Sequence, residues 1–238
     1  MKLEGKIAVV TGAAAGIGRA MKEKLLEKGC RVIGIDTGAK EYEDEREISC
    51  RGDISDAEMI RAIRDRAKEK FGHVDLLINN AGIQTVAPFE ETTIEDFRRV
   101  INVNLTGTFI CTKLFTEIMP EGSAILNVVS VHHDVPRLDK FGYDASKAGE
   151  AMLTKETALA LCKRRITCNA IAIGAVSSPM NADWLDDPEA VAHVKANIPM
   201  DWIARPEEIA EAEIHILEDF ADLCTGSIFT VDGGRSLR

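Results

Sequence analysis

The stretch Ile7-Ala8-Val9-Val10-Thr11-Gly12-Ala13-Ala14-Ala15-Gly16-Ile17-Gly18 decides the fold. A short β-branched run ends in a glycine-punctuated turn, and a helical pattern opens at once, over residues 17–27. The glycines permit a tight turn, close approach of a ligand to the backbone, and close packing of helix on strand. The helix N-terminus adds free N–H groups and the positive end of its dipole. Gly12, Ala15, Gly16, Ile17 and Gly18 therefore read as a cradle for a dinucleotide pyrophosphate. The spacing is Gly-x-x-x-Gly-x-Gly rather than Gly-x-Gly-x-x-Gly, so the order strand, turn, helix carries the reading, not the glycine count.

Working outward, the next apolar run, residues 32–36, ends in Asp36, 18 positions after Gly18. A carboxylate there accepts hydrogen bonds from the ribose hydroxyls of an adenosine. It repels a 2′-phosphate by roughly 4 kcal/mol per charge at 4 Å and an effective dielectric near 20, before screening. Neither Ala15 nor Thr37 is a basic residue that would rescue the phosphate, so the sequence predicts NAD rather than NADP. Short β-branched runs keep alternating with helical periods as far as residues 228–231. Runs such as Leu76-Leu77-Ile78 and residues 124–129 do not alternate with polar residues, as in strands covered on both faces. The pattern predicts a Rossmann-type α/β fold: one doubly wound parallel sheet of about seven strands with helices on both faces. Asp56 reads as an N-cap, with Met59, Ile60, Ile63, Ala67 and Phe71 on one stripe and Gly72 as the stop. No repeat or linker divides residues 1–238, which are expected to form one domain. The alternation breaks at 175–203, rich in proline and holding Trp184 and Trp202, and this segment is expected to cover a substrate.

Lys and Arg total 29 against 39 Asp and Glu, for a formal net charge of −10, which argues against nucleic acid and anionic membranes as partners and sits with a neutral substrate. No apolar run is long enough to span a bilayer and residues 1–5 lack a signal-peptide pattern, so a cytoplasmic protein is expected. The six cysteines are scattered without a Cys-x-x-Cys pair, which points to reduced thiols and to neither zinc nor disulfides.

Four polar residues carry the chemistry: Asn104, Ser130, Tyr143 and Lys147. Ser130 ends the long apolar run, at the carboxyl edge where open α/β sheets bind ligands. Tyr143 and Lys147, four apart at the start of a helix predicted to reach Leu161, share one helical face. A phenol of pKa near 10 needs about 4 kcal/mol to fall by about 3 units. A neighbouring ammonium and a positive nicotinamide ring supply a term of that order, so Tyr143 is expected to be shifted down and to move a proton during hydride transfer. Ser130 would hydrogen-bond the substrate oxygen.

With these residues in place the chain resembles the short-chain dehydrogenase/reductase family over essentially its whole length. The matching motifs are Thr11-Gly-x-x-x-Gly-Ile-Gly18, Asn79-Asn80-Ala81-Gly82, Asn104, Ser130, Tyr143-x-x-x-Lys147 and Val231-Asp232-Gly233-Gly234. The resemblance implies that Asp53 and Ile54 lie by the adenine, that Asn80, Ala81 and Gly82 lie against the cofactor, and that Lys147 also binds the nicotinamide ribose. It implies that Asn104 holds a water linking Lys147 to solvent, that Gly174, Val176 and Ser178 approach the nicotinamide, and that the assembly is a homotetramer. Two departures stand out. Only 17 positions separate Asp36 from Asp53, and Glu41, Glu43, Asp44, Glu45 and Glu47 suggest an acidic loop there. The usual Pro-Gly is Ile173-Gly174. Within the family the chain looks most like bacterial glucose 1-dehydrogenases and other sugar or polyol dehydrogenases, with Gln84, His132, Met180 and Trp184 as substrate contacts. The substrate class is a small alcohol or ketone. A 3-oxoacyl carrier-protein reductase, a hydroxysteroid dehydrogenase and a nonenzymatic NAD sensor are the rival readings.

Overall fold

The computed structural model describes residues 1–237. The cradle stretch forms strand β1 (Ile7–Thr11), entirely buried, running into helix α1 (Gly16–Glu27). Strands β2 (Arg31–Asp36), β4 (Glu47–Arg51), β5 (Leu76–Asn79), β6 (Ala124–Ser130), β7 (Thr167–Ile173) and β8 (Ile228–Val231) join β1 in parallel. One further strand, β3 (Tyr42–Glu43), pairs antiparallel with β4 at the edge, giving the order β3-β4-β2-β1-β5-β6-β7-β8.

The sheet therefore has eight strands where about seven were expected, and the extra one lies in the segment read as an acidic loop. Its acids are not simply solvated: Arg66 pairs with Glu41 and Glu43, Lys70 pairs with Glu43, and Asp44 accepts from the backbone N–H groups of Arg46 and Glu47. Basic residues on the neighbouring helix α2 (Ala57–Phe71) thus hold a short hairpin where a full helix would not fit.

Helix α2 begins where Asp56 caps the N–H groups of Glu58 and Met59 and stops at Gly72, φ 85°. Ile60, Ile63, Ala67 and Phe71 are buried, each large side chain contributing roughly 2 kcal/mol on burial, whereas Met59 stays 39% exposed. The remaining helices are α3 (Ile94–Ile101), α4 (Thr108–Phe115), α5 (Phe141–Leu161), α6 (Ala182–Leu185), α7 (Pro188–Ala196) and α8 (Pro206–His215). Four cysteines are buried, Cys162 is exposed and Cys224 is half-buried; all are free thiols. No described helix is long and apolar enough to cross a membrane.

Two apolar layers, one on each face, sandwich the sheet. Buried polar side chains fasten α5 to it: Asn79 donates to Asn127 at 2.8 Å, and Asn127 donates to Thr154 on α5 at 2.8 Å. On α8, Glu213 is fully buried on the face that also carries Ile209 and Ala210, and neither of its carboxyl oxygens has a hydrogen-bond partner among the described residues. Burial without a partner pushes its pKa up to about 8.

The segment 175–203 is pinched at its base by a parallel bridge between Val176 and Ala204. Above that bridge it holds α6 and α7, and Met200 donates back to the Gly233 carbonyl. It is a structured flap rather than an irregular excursion.

Candidate active site

From β1 the chain builds outward on one side through β2 and β4, and from β5 on the other side through β6, β7 and β8. Where such an order reverses, the loops leave the strand ends in opposite directions and open a crevice. Here that crevice is a cleft of about 870 Å³. Gly12, Ala15, Gly16, Ile17, Asp36, Asn80, Ala81 and Gly82 line one end of it, while Ser130, Tyr143, Lys147, Gly174, Val176 and Ser178 line the other.

The cradle is tight because its parts interlock. Asn80 donates to the Thr11 carbonyl, and the Thr11 hydroxyl accepts from the N–H groups of Asn80 and Ala81. Gly12 turns at φ 70°, and a Cβ at Gly18 would fall 2.1 Å from the Gly12 carbonyl oxygen, so Gly18 serves packing and does not reach the cleft. Asp36 accepts from the N–H groups of Ala14 and Gly38, which stations its carboxylate beside the glycine turn. Asp53 and Ile54 do not line the cleft: Asp53 accepts from Ser55, and Ile54 packs under Gly107.

At the chemical end, helix α5 brings Tyr143, Lys147 and Glu150 onto one buried face. Lys147 Nζ donates to the Val128 carbonyl at 2.9 Å and lies 2.6 Å from the Glu150 carboxylate, which also accepts from Thr108 at 3.0 Å. Burial opposes the Lys147 charge, but Glu150 and the phenol outweigh it and hold the ammonium above its ordinary pKa. Asn104 is fully buried in a π-helical stretch, Asn102–Gly107, a widening of the helical turn that is frequent at functional sites. Its amide is spent on the N–H and carbonyl of Ile83 and on the Ser146 hydroxyl, so it pins the strand-β5 loop to α5.

The Tyr143 phenol, expected to be shifted down, is shifted up. Burial dominates; the Lys147 charge and the Ser130 hydroxyl pull the pKa down, and Glu150 and Asp144 push it up. The Lys147 charge does pull toward the phenolate, but the cost of ionising a buried phenol outweighs it, and Glu150 one helical turn further on offsets part of that pull.

With this geometry in view, a family model described as enoyl-(acyl carrier protein) reductase matches residues 12–236. The chain belongs to the short-chain dehydrogenase/reductase family. Relatives of this family member include the 3beta-hydroxysteroid dehydrogenase 1 of Eggerthella lenta, 38% identical over 99% of this chain and 95% of the relative. The cis-4-hydroxycyclohexanecarboxylate dehydrogenase of Sinomonas cyclohexanicum is also 38% identical, over 96% of each chain. The aldohexose dehydrogenase of Thermoplasma acidophilum, solved in ligand-free form, superposes with a TM-score of 0.89 at 29% identity over 99% of this chain and 96% of that one. Short-chain dehydrogenase/reductases are oxidoreductases that act on alcohols with a nicotinamide cofactor.

In this member of the family the four expected substrate contacts all line the cleft, with different partners. Gln84 donates to the Met180 carbonyl in the flap and accepts from Lys140 at 2.6 Å. His132 bonds the Val135 carbonyl through Nδ1, and its ring stands edge-on to Tyr143 at 6.5 Å. Burial lowers its pKa to about 4, so it is neutral at physiological pH rather than a solvated loop histidine. Met180 and Trp184 face the cleft from the flap, joined by His193 and Val194 of α7.

The sequence reading missed Glu150, Lys140, Arg137 and Arg235. Glu150 was within reach of it, since positions 143, 147 and 150 share a helical face. Arg235 was not, because only the fold brings the chain after β8 back to this wall of the cleft.

Proposed function

We propose that this protein is an NAD-dependent dehydrogenase that interconverts a secondary alcohol and its carbonyl, with Tyr143 as acid and base, Ser130 on the substrate oxygen, Lys147 supporting the phenol, and residues 175–203 covering the substrate. The observation that carries the reading is the convergence of Ser130, Tyr143 and Lys147 on one wall of a cleft whose other end is the glycine cradle with Asp36. The cradle suits a dinucleotide: Gly12 and Gly16 turn at positive φ where helix α1 begins, both line the cleft, and an acid stands beside them where an adenosine ribose would lie. A nicotinamide held in this cleft would supply the hydride acceptor. For the chain's own part, Ser130 orients the alcohol and Tyr143 Oη takes its proton. Lys147, held charged by Glu150, favours the phenolate. The exposed side chains of Phe109 on α4 and of Met152 and Leu159 on α5 support the homotetramer as its state in solution.

Asp36→Asn tests the cofactor assignment, because it keeps an acceptor for Ala14 while removing the charge. The ratio of kcat/KM with NAD to that with NADP is expected to fall by about tenfold or more. An unchanged ratio would show that the cofactor choice lies elsewhere.

Glu150 is a positioning residue in this scheme. Its negative charge raises the phenol's pKa, so Glu150→Gln, which keeps an acceptor for Lys147, should move the acidic limb of the kcat/KM profile for oxidation to lower pH. A limb that stays put or moves up, measured on a variant of native melting temperature, would contradict this role.

A further inference from the structure

Beyond Tyr143, the wall of the cleft carries a cluster of three cations, of which only Arg137 has an ion-pair partner among the described residues, although Asp139 and Asp183 also line the cleft. Lys140, Arg137 and Arg235 all line it. Lys140 is buried, its Nζ lies 5.6 Å from the centroid of the Tyr143 ring, and its hydrogen-bond partner is the neutral Oε1 of Gln84. Among the described residues, no carboxylate comes within ion-pair distance of Lys140 or of the half-buried Arg235. Asp139 pairs with the Arg137 guanidinium at 3.3 Å and Asp144 accepts from the Arg137 backbone N–H at 2.7 Å, and both act on Lys140 only at longer range.

Three cations also sit in one another's field. Lys140 is pushed down from its ordinary pKa by burial first and then by Arg137, against Asp139 and Asp144, with Arg235 adding to the push; Arg235 is pushed down by burial and by Arg137 against the pull of Asp232. Burying a cation without a counter-ion is costly, and a chain of net charge −10 has no surplus of basic residues to scatter at random. The cluster is also well placed to be used: it borders the phenol and the neutral His132, and Gln84 ties it to the flap through Met180. It belongs to the substrate end, since the phosphate cradle at Gly12–Gly16 has Asp36, not a cation, beside it.

We propose that Lys140 and Arg235 bind a carboxylate on the substrate, so that the enzyme acts on secondary hydroxy acids and their oxo acids rather than on neutral alcohols. A planar carboxylate matches the guanidinium fork of Arg235 and accepts from the ammonium of Lys140, neutralising both within a partly desolvated site. With Lys140 this close to Tyr143, the carboxylate and the reacting carbinol are separated by a short spacer. The overall acidity of the chain, which sits with a neutral substrate, is thereby reversed locally: net charge is a property of the whole surface, and recognition depends on the charges lining one wall.

The proposal rests on the dehydrogenase reading, and the test separates the two. Oxidation is measured for matched pairs, 3-hydroxybutyrate and 4-hydroxycyclohexanecarboxylate against their methyl esters, together with neutral sugars and polyols, all with NAD. The acids are expected to exceed their esters in kcat/KM on the order of a hundredfold, and Arg235→Gln and Lys140→Gln each to reduce that ratio at least about tenfold. In parallel, the melting temperature of the protein with NAD is followed with cyclohexanecarboxylate and with cyclohexanecarboxamide; the carboxylate alone is expected to raise it, and to lose the effect in Arg235→Gln. Esters or sugars oxidised as well as the acids would leave the dehydrogenase standing and overturn the carboxylate site. If no alcohol of either kind is oxidised, the dehydrogenase reading fails, and the melting experiment alone decides the anion site, which falls if carboxylate and carboxamide act alike.

Discussion

Tyr143→Phe is expected to lower kcat/KM about a thousandfold while leaving NAD affinity and melting temperature near their original values. The size follows from the role: a positioned acid or base contributes a factor of this order, and phenylalanine keeps the ring packing while deleting only the proton-transferring oxygen. The phenol is buried, and its pKa lies above the ordinary value because burial outweighs the help of Lys147 and Ser130. A phenol raised in this way is mostly protonated at neutral pH, so oxidation by the original enzyme should rise with pH as the phenolate population grows. The residual activity of Tyr143→Phe should lack that limb. Steady-state kinetics between pH 6 and 10 with about equal cofactor saturation would check both parts. A variant that keeps a tenth of the activity, or keeps the limb, would remove Tyr143 from the chemistry.

The second large effect concerns stability rather than turnover. Glu213 is wholly buried with no hydrogen-bond partner among the described residues, and its pKa is raised to about 8. The native state therefore holds a proton that the unfolded chain releases near the ordinary carboxyl pKa. A native pKa above the unfolded one contributes stability that is whole below about pH 4.5 and is lost as pH rises to about 8. That interval corresponds to about 5 kcal/mol as an upper figure. Glu213→Leu, close in volume and free of a charge, should recover most of it: denaturant titrations should show a gain of several kcal/mol at pH 9 and a much smaller one at pH 5. An equal gain at both pH values, or a loss at pH 9, would mean that the carboxylate is satisfied in solution. Natural chains rarely bury an unpaired acid in a helix–helix layer, and nothing in the site's chemistry uses this one.

Much of the fold was legible because its signals are local. The order of strand, turn and helix at Ile7 to Gly18, the cap at Asp56 and the unalternating run ending at Ser130 each report their own neighbourhood. The edge strand β3 was not legible, because two residues among five acids look like a solvated loop until Arg66 and Lys70 of α2 are brought against them. The phenol's upward shift was not legible for a related reason: Lys147 is plain in the Tyr-x-x-x-Lys pattern and does pull the pKa down, but the burial of Tyr143 that outweighs it is set by packing, which a spacing does not reveal.

The α/β class, the glycine cradle, the acid at Asp36 and the Ser130, Tyr143, Lys147 set can be read from the chain alone, because periodicity and spacings within single elements encode them. Which charges face one another follows from the packing of those elements. Burial sets the cost of every unpaired group, and it arises when segments distant in sequence are packed together: α8 enclosing Glu213, α5 pairing Lys147 with Glu150, and the chain after β8 bringing Arg235 to the wall that holds Lys140.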